Sequence, residues 1–135
     1  MELIEKYLPN AYELGWTGDL GWWSAILATL YMTFWSFLIG GSLGLIAGLF
    51  LVLTGPGGVI ENRPAFWILD KIVSVFRAIP FIILLAILSG LTLLLAGTTL
   101  GATAALVPLS AATFPFFARQ VQVVFSEMDR GVIEA

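Results

Sequence analysis

Phe76-Arg77-Ala78-Ile79-Pro80-Phe81-Ile82-Ile83-Leu84-Leu85 sets an arginine and then a proline at the head of a long apolar run. No charged side chain occurs from Ala78 to Ala118, and none occurs from Leu20 to Ile60. About twenty apolar residues cross a hydrocarbon core of ~30 Å at ~1.5 Å rise per residue. Each charge-free window is roughly twice that length, so the second is expected to fold as two helices back to back. Twelve of the residues from Ile79 to Leu95 are Ile, Leu or Phe, which favours insertion by about 4–7 kcal/mol. Arg77 marks the interface, where its stem lies along the apolar layer and its charge reaches the headgroups. Pro80, one turn further on, frees a backbone carbonyl and permits a kink.

Composition agrees with a membrane protein. Of 135 residues 59% are hydrophobic and 11% charged, where a soluble domain is about a quarter charged. The chain has no cysteine and no histidine. Disulfides, thiolate or imidazole metal sites and histidine acid–base chemistry are therefore excluded, and no cofactor is expected. The net charge of −3 and the scattered basic residues leave no nucleic-acid footprint. Met1-Glu2-Leu3-Ile4-Glu5-Lys6 is acidic where a signal peptide is basic, so the first apolar segment reads as a permanent anchor.

Outward from the opening stretch, the rest of the chain divides readily. Residues 1–24 form an expected interfacial leader, with Leu3, Ile4, Tyr7 and Leu8 on one face of a short helix that Pro9-Asn10 interrupts. Trp16, Trp22 and Trp23 stand where aromatic residues mark the headgroup level. A first span is expected over residues 25–53. Within it Ser36, Gly40, Gly44 and Gly48 recur every four residues and stack on one face, giving a flat stripe for another helix of the bundle or of a second copy. Thr54-Gly55-Pro56-Gly57-Gly58 breaks that helix, and a loop is expected through Asp70. The second span is placed at 72–95 and the third at 102–125, the latter bent by Pro108 and Pro115. Ser110 and Thr113 beside those bends are candidates for a substrate path, although helix hydroxyls more commonly bond their own backbone.

Arg63, Lys71 and Arg77 fall between the first two spans, and Arg119 and Arg130 follow the third. Positive residues favour the cytoplasmic side, so the expected topology has the N-terminus outside and the C-terminus inside. In residues 126–135, Asp129 is a candidate N-cap, with Val132 and Ile133 opening an apolar face on a new helix. The sequence stops before that helix completes two turns, so a shortened chain is expected.

Several of these segments resemble the permease subunits of bacterial ABC importers, with the methionine-import type the nearest. The Phe76–Leu85 stretch is similar to the opening of that family's second membrane helix. Gly101-Ala102-Thr103-Ala104-Ala105-Leu106-Val107-Pro108-Leu109 and Pro115-Phe116-Phe117-Ala118-Arg119 resemble its third, and Gly131-Val132-Ile133-Glu134-Ala135 resembles the lead-in to its cytoplasmic EAA loop. The resemblance implies an all-α integral membrane fold with three of an expected five helices, cut off within the EAA loop. It implies a multi-pass protein of the bacterial cytoplasmic membrane whose pore forms between two copies of the chain. Two ATP-binding cassette subunits and an extracytoplasmic amino-acid-binding protein are the implied partners, beside the lipid bilayer. Methionine is the implied cargo, with another amino acid as the alternative. Asp129, Arg130, Gly131, Val132, Ile133, Glu134 and Ala135 would begin the helix that couples the pore to its ATPase.

The chain carries no G-x-x-x-x-G-K-[ST] phosphate loop, so a partner must hydrolyse ATP and no enzymatic activity is expected here. A rival reading is a small membrane adaptor that packs through the Gly40-Gly44-Gly48 stripe and transports nothing. An intramembrane enzyme is disfavoured, because no expected span holds His, Cys, Asp or Glu.

Overall fold

The computed structural model describes residues 2–13 and 15–128; the expected coupling residues Asp129 to Ala135 lie outside the described residues. Every element within them is a helix: α1 Glu2–Tyr7, α2 Pro9–Glu13, α3 Trp22–Thr54, α4 Arg63–Ala78, α5 Phe81–Ile87, α6 Ser89–Ala96 and α7 Ala102–Glu127.

Helix α3 runs 33 residues without interruption, about 50 Å at 1.5 Å per residue. It starts at Trp22, three residues before the expected span. Among the described residues it is the one helix that is by itself long and apolar enough to cross a membrane. Its end is closed by Gly55 N–H donating to the Leu51 carbonyl at 2.9 Å and Asn62 N–H donating to that of Thr54 at 3.0 Å.

The expected loop through Asp70 is shorter than its composition suggested. Asn62 caps α4, its Oδ1 accepting from Ala65 N–H at 3.2 Å, and Pro64 occupies the first turn, where its missing donor is no loss. Asn62-Arg63-Pro64 is thus a helix start, and Arg63 to Lys71 lie on the first turns of α4. The second span also differs from a single helix over 72–95. Proline disfavours helical geometry in the residue before it, and Ile79 is extended, with φ −78° and ψ 122°. The chain therefore breaks at Ile79-Pro80 and restarts as α5, where a kink within one helix was expected. A softer bend at Leu88 (φ −85°, ψ 1°) separates α5 from α6. Gly97, left-handed at φ 74°, closes α6 and lets the chain turn towards α7.

Helices α3 and α7 lie side by side and point the same way. Tyr31 Oη meets Thr103 Oγ1 at 3.4 Å, and the rings of Phe37 and Phe117 meet edge to face at 5.4 Å. Helix α4 runs back against both: Phe76 meets Phe114 at 5.6 Å, while Asp70, two turns earlier, reaches Arg119. The core where the three meet is small, with Leu51, Val73 and Ala118 fully buried and Ala47, Phe66, Leu69 and Phe114 packed around them.

Candidate functional site

Ser36, Gly40, Gly44 and Gly48 are all buried, and they face α7 of the same chain. A methyl group at Gly40 would stand 2.7 Å from the Ser110 carbonyl oxygen and 2.7 Å from Thr113 Cβ. At Gly44 it would stand 2.6 Å from the Phe114 carbonyl oxygen, and at Gly48 2.8 Å from that of Ala118. These separations are below van der Waals contact, so the two backbones approach as closely as they do because α3 has no side chains there. Gly41 is also buried but points elsewhere: a methyl there meets nothing nearer than the Phe37 ring at 3.9 Å.

At the level of Gly48, α7 is tied to α4 by charge. Arg119 Nη1 donates to Asp70 Oδ1 at 2.7 Å and also to Gln122 Oε1, while Nη2 donates to Ser74 Oγ at 2.9 Å. The two charged side chains keep 20% and 25% of their exposure, so the pair is largely withdrawn from solvent. Sequence reasoning used Arg119 for orientation and in the third-helix resemblance, and left Asp70 in a loop. Arg119 directly follows the second charge-free window, but nothing in the sequence singles out Asp70 as its partner.

Two grooves flank α3. The one shared with α4 measures about 530 Å³ and is walled by Leu43, Ile46, Phe50, Ile68, Ile72 and Phe114 among others. No polar side chain lines it. The other, of about 450 Å³, is bounded by Thr29, Met32, Thr33, Ser36 and Phe37 of α3 and by Leu109 and Thr113 of α7. Three of its hydroxyls are held by their own helix, as Thr29 donates to the Ala25 carbonyl, Thr33 to Thr29 and Thr113 to Leu109, at 2.7–2.8 Å. Ser36 is 5% exposed and its Oγ has no partner; Ser110, 8% exposed and near the same level, has none either.

The remaining sequence-derived positions are dispersed. Arg77 is exposed on the last turn of α4, and Pro80 caps α5. Thr113 lines the second groove, whereas Ser110 sits in the seam, its carbonyl beneath Gly40. The described residues hold no group of three or more His, Cys, Asp or Glu placed to bind a metal ion.

No family model matches the chain. It is 49% identical over 109 residues to the probable D-methionine transport system permease protein MetI of Pasteurella multocida, covering 81% of this chain and 50% of that one. It is 42% identical over 134 residues to the methionine import system permease protein MetP of Bacillus subtilis, covering 98% and 57%. A solved structure of the MetNI methionine ABC transporter in an inward-facing conformation superposes with a TM-score of 0.78 at 41% identity, over 81% of this chain and 50% of that chain. The chain thus spans about half the length of the curated relatives it matches. The resemblance carried by residues 76–85, 101–109 and 115–119 is borne out by these relatives.

Proposed function

We propose that this chain, a relative of the methionine-import permeases over most of its length, is a membrane-spanning permease subunit of an ATP-driven methionine importer in the bacterial cytoplasmic membrane. The observation that carries the reading is the superposition on the methionine transporter at 41% identity. That likeness joins sequence and fold over the same helices.

The topology inferred is three crossings with the N-terminus outside and the C-terminus inside. Parallel α3 and α7, with α4 to α6 running back between them, support an odd number of crossings. The basic residues Arg63, Lys71, Arg77 and Arg119 then gather on the inner side, as the preference for cytoplasmic positive charge requires. No helix among α4, α5 and α6 spans the bilayer by itself, but together they cover residues 63–96. Arg77 acts in this reading as the interfacial anchor beside the Pro80 break, and the Ser36-to-Gly48 stripe packs the bundle.

The pore would form between two copies of the chain, above two ATP-binding subunits, with an extracytoplasmic binding protein delivering the amino acid. Asp129, Arg130, Gly131, Val132, Ile133, Glu134 and Ala135 are assigned to ATPase coupling by resemblance. Ser110 and Thr113 are assigned to the substrate path, Thr113 with the better geometry. In this scheme the chain performs no chemistry; it converts closure of the ATPase pair into a rigid-body change of the pore.

The test is uptake. Cells lacking the gene should lose high-affinity uptake of radiolabelled methionine and regain it with the gene restored, in an ATP-dependent way. Uptake that is unchanged on deletion, in a strain without a second methionine importer, would overturn the reading.

A further inference from the structure

Helix α4 carries the cations Arg63, Lys71 and Arg77 and a single anion, Asp70. The Asp70 carboxylate is taken by Arg119 of α7, so among the described residues the cations of α4 make no ion pair. Glu61, two residues before Arg63, leaves it unpaired as well. Arg63, Trp67 and Lys71 stand at i, i+4 and i+8 and form one exposed row along the helix. Lys71 does not extend straight outward: its Nζ lies 5.8 Å from the centre of the Trp67 ring. Helical side chains lean towards the N-terminus, and this lean carries the Lys71 charge about one turn towards Arg63. Beside that row lie Ile68, Ile72 and Val75, all exposed. Ile68 and Ile72, with Leu43, Ile46 and Phe50 of α3, wall the groove of about 530 Å³ that has no polar side chain. A cationic, aromatic row thus borders an uncovered apolar channel.

We propose that this margin of α3 and α4 is a binding site for an anionic phospholipid, with its phosphate on Arg63 and Lys71 and an acyl chain in the groove. The two halves of the surface select that occupant together. An acyl chain needs no hydrogen bond, and the walls of the groove offer none. A zwitterionic lipid fills the groove equally well but brings its own cation towards Lys71. A soluble anion satisfies the cations and leaves the apolar channel open. Only a molecule with net negative charge and a hydrocarbon tail answers both, and Trp67 supplies a ring suited to the headgroup level between them. In the topology inferred above, the site faces the inner leaflet, whose negative potential attracts basic residues near its surface. The inference takes the leaflet from that topology and draws nothing from the transport reading.

Photolabelling tests the site. The full-length protein is reconstituted in phosphatidylcholine vesicles containing a trace of phosphatidylglycerol or of phosphatidylcholine with a photoactivatable diazirine in its acyl chain. Adducts are located by mass spectrometry of peptides. At equal mole fraction, the phosphatidylglycerol probe should label residues 43–50 and 65–72 at least about fivefold more than the phosphatidylcholine probe. Unlabelled phosphatidylglycerol should suppress that excess. The double variant Arg63→Gln/Lys71→Gln should lose the preference while its labelling by the phosphatidylcholine probe persists. Lys71→Arg, which keeps the charge, should retain the preference. Ile46→Trp, which fills the groove, should reduce labelling there by both probes. Melting of each variant in detergent separates a lost site from a lost fold. Equal labelling by the two probes, or a preference that survives in the double variant, overturns the proposal. So does the absence of labelling by either probe, which would mean that a second copy or another part of the full-length chain covers the groove. No transport is measured, so failure here leaves the uptake reading standing, and failure of uptake leaves the labelling result unchanged.

Discussion

Helix α7 is held by two unlike junctions. Against α3 it lies on three glycines, so that its carbonyls and Cβ atoms meet α3 where α3 carries no side chain. Against α4 the contact is made by long side chains, the Phe76–Phe114 pair and the Arg119 fork on Asp70 and Ser74. Lipid tails are as apolar as leucine, so helices in a bilayer gain little from burying apolar area against each other. Close packing and polar contacts must supply the association, and this molecule uses one at each junction. The glycine seam tolerates no added volume but is indifferent to salt; the fork tolerates reshaping but depends on both charges.

The harshest way to break that contrast is to fill the seam. Gly44→Leu places a side chain where a methyl alone would lie 2.6 Å from the Phe114 carbonyl oxygen and 2.5 Å from Phe117 Cβ. Neither neighbour is a flexible tip. Overpacking of this kind costs about 3 kcal/mol, and the expected outcome is loss of the chain from the membrane fraction and a collapsed yield in detergent. A folded, normally abundant variant would show that α3 and α7 do not need this approach.

Breaking the fork should do less. Arg119→Ala leaves Asp70 largely buried without its cation. Removing one partner of a fully buried pair costs about 3–5 kcal/mol, but a quarter of the Asp70 side chain stays exposed, so about 1–2 kcal/mol is expected here. Arg119→Lys keeps the charge and loses the simultaneous hold on Asp70 and Ser74, giving an intermediate loss. Thermal unfolding of Arg119→Ala, Asp70→Ala and the double variant gives the coupling. The double variant should be less destabilised than the sum of the singles. Strict additivity would mean that the pair does not join the helices.

Much of this arrangement is legible in the sequence, and the reasons differ by region. The Gly40-Gly44-Gly48 register was readable because period alone puts those residues on one face, and the identity of its partner helix was not, since period says nothing of what lies opposite. The start of α4 was misplaced because Arg63, Asp70 and Lys71 look like loop composition. Asn62 and Pro64 carried the opposite and better signal, a cap followed by a first-turn proline. The break at Ile79-Pro80 was underestimated as a kink, since a proline inside an apolar run reads as an interruption of one helix. The backbone restriction it imposes on Ile79 ends α4 outright. Ser36 was read as one more small residue, and its unmatched hydroxyl is visible only once α7 closes over it.

Pro80 offers a milder test, on the α4 side. Its φ of −57° suits proline without strain, so Pro80→Ala mainly returns conformational freedom to the unfolded chain. A destabilisation of about 0.4–1 kcal/mol is expected, seen as a small fall in melting temperature. A rise would mean that the break at Ile79 is itself unfavourable and that the helix gains by running through.

The smallest effect sharpens the comparison most, because it separates glycine as spacer from glycine as composition. Gly41 neighbours Gly40 and is equally buried by α3's surroundings, yet a methyl there meets only the Phe37 ring, at 3.9 and 4.0 Å. That is ordinary contact. Alanine is the better helix former by about 1 kcal/mol in a helix interior, so Gly41→Ala should leave stability unchanged or raise it by about 0.5 kcal/mol. Gly40→Ala, one residue away and 2.7 Å from the Ser110 carbonyl oxygen, should lower it. Melting both variants in the same detergent decides the matter. If both fall alike, the requirement at these positions is for a slender α3 as a whole and not for the line of contact with α7. If only Gly40→Ala falls, the seam is a register specified residue by residue.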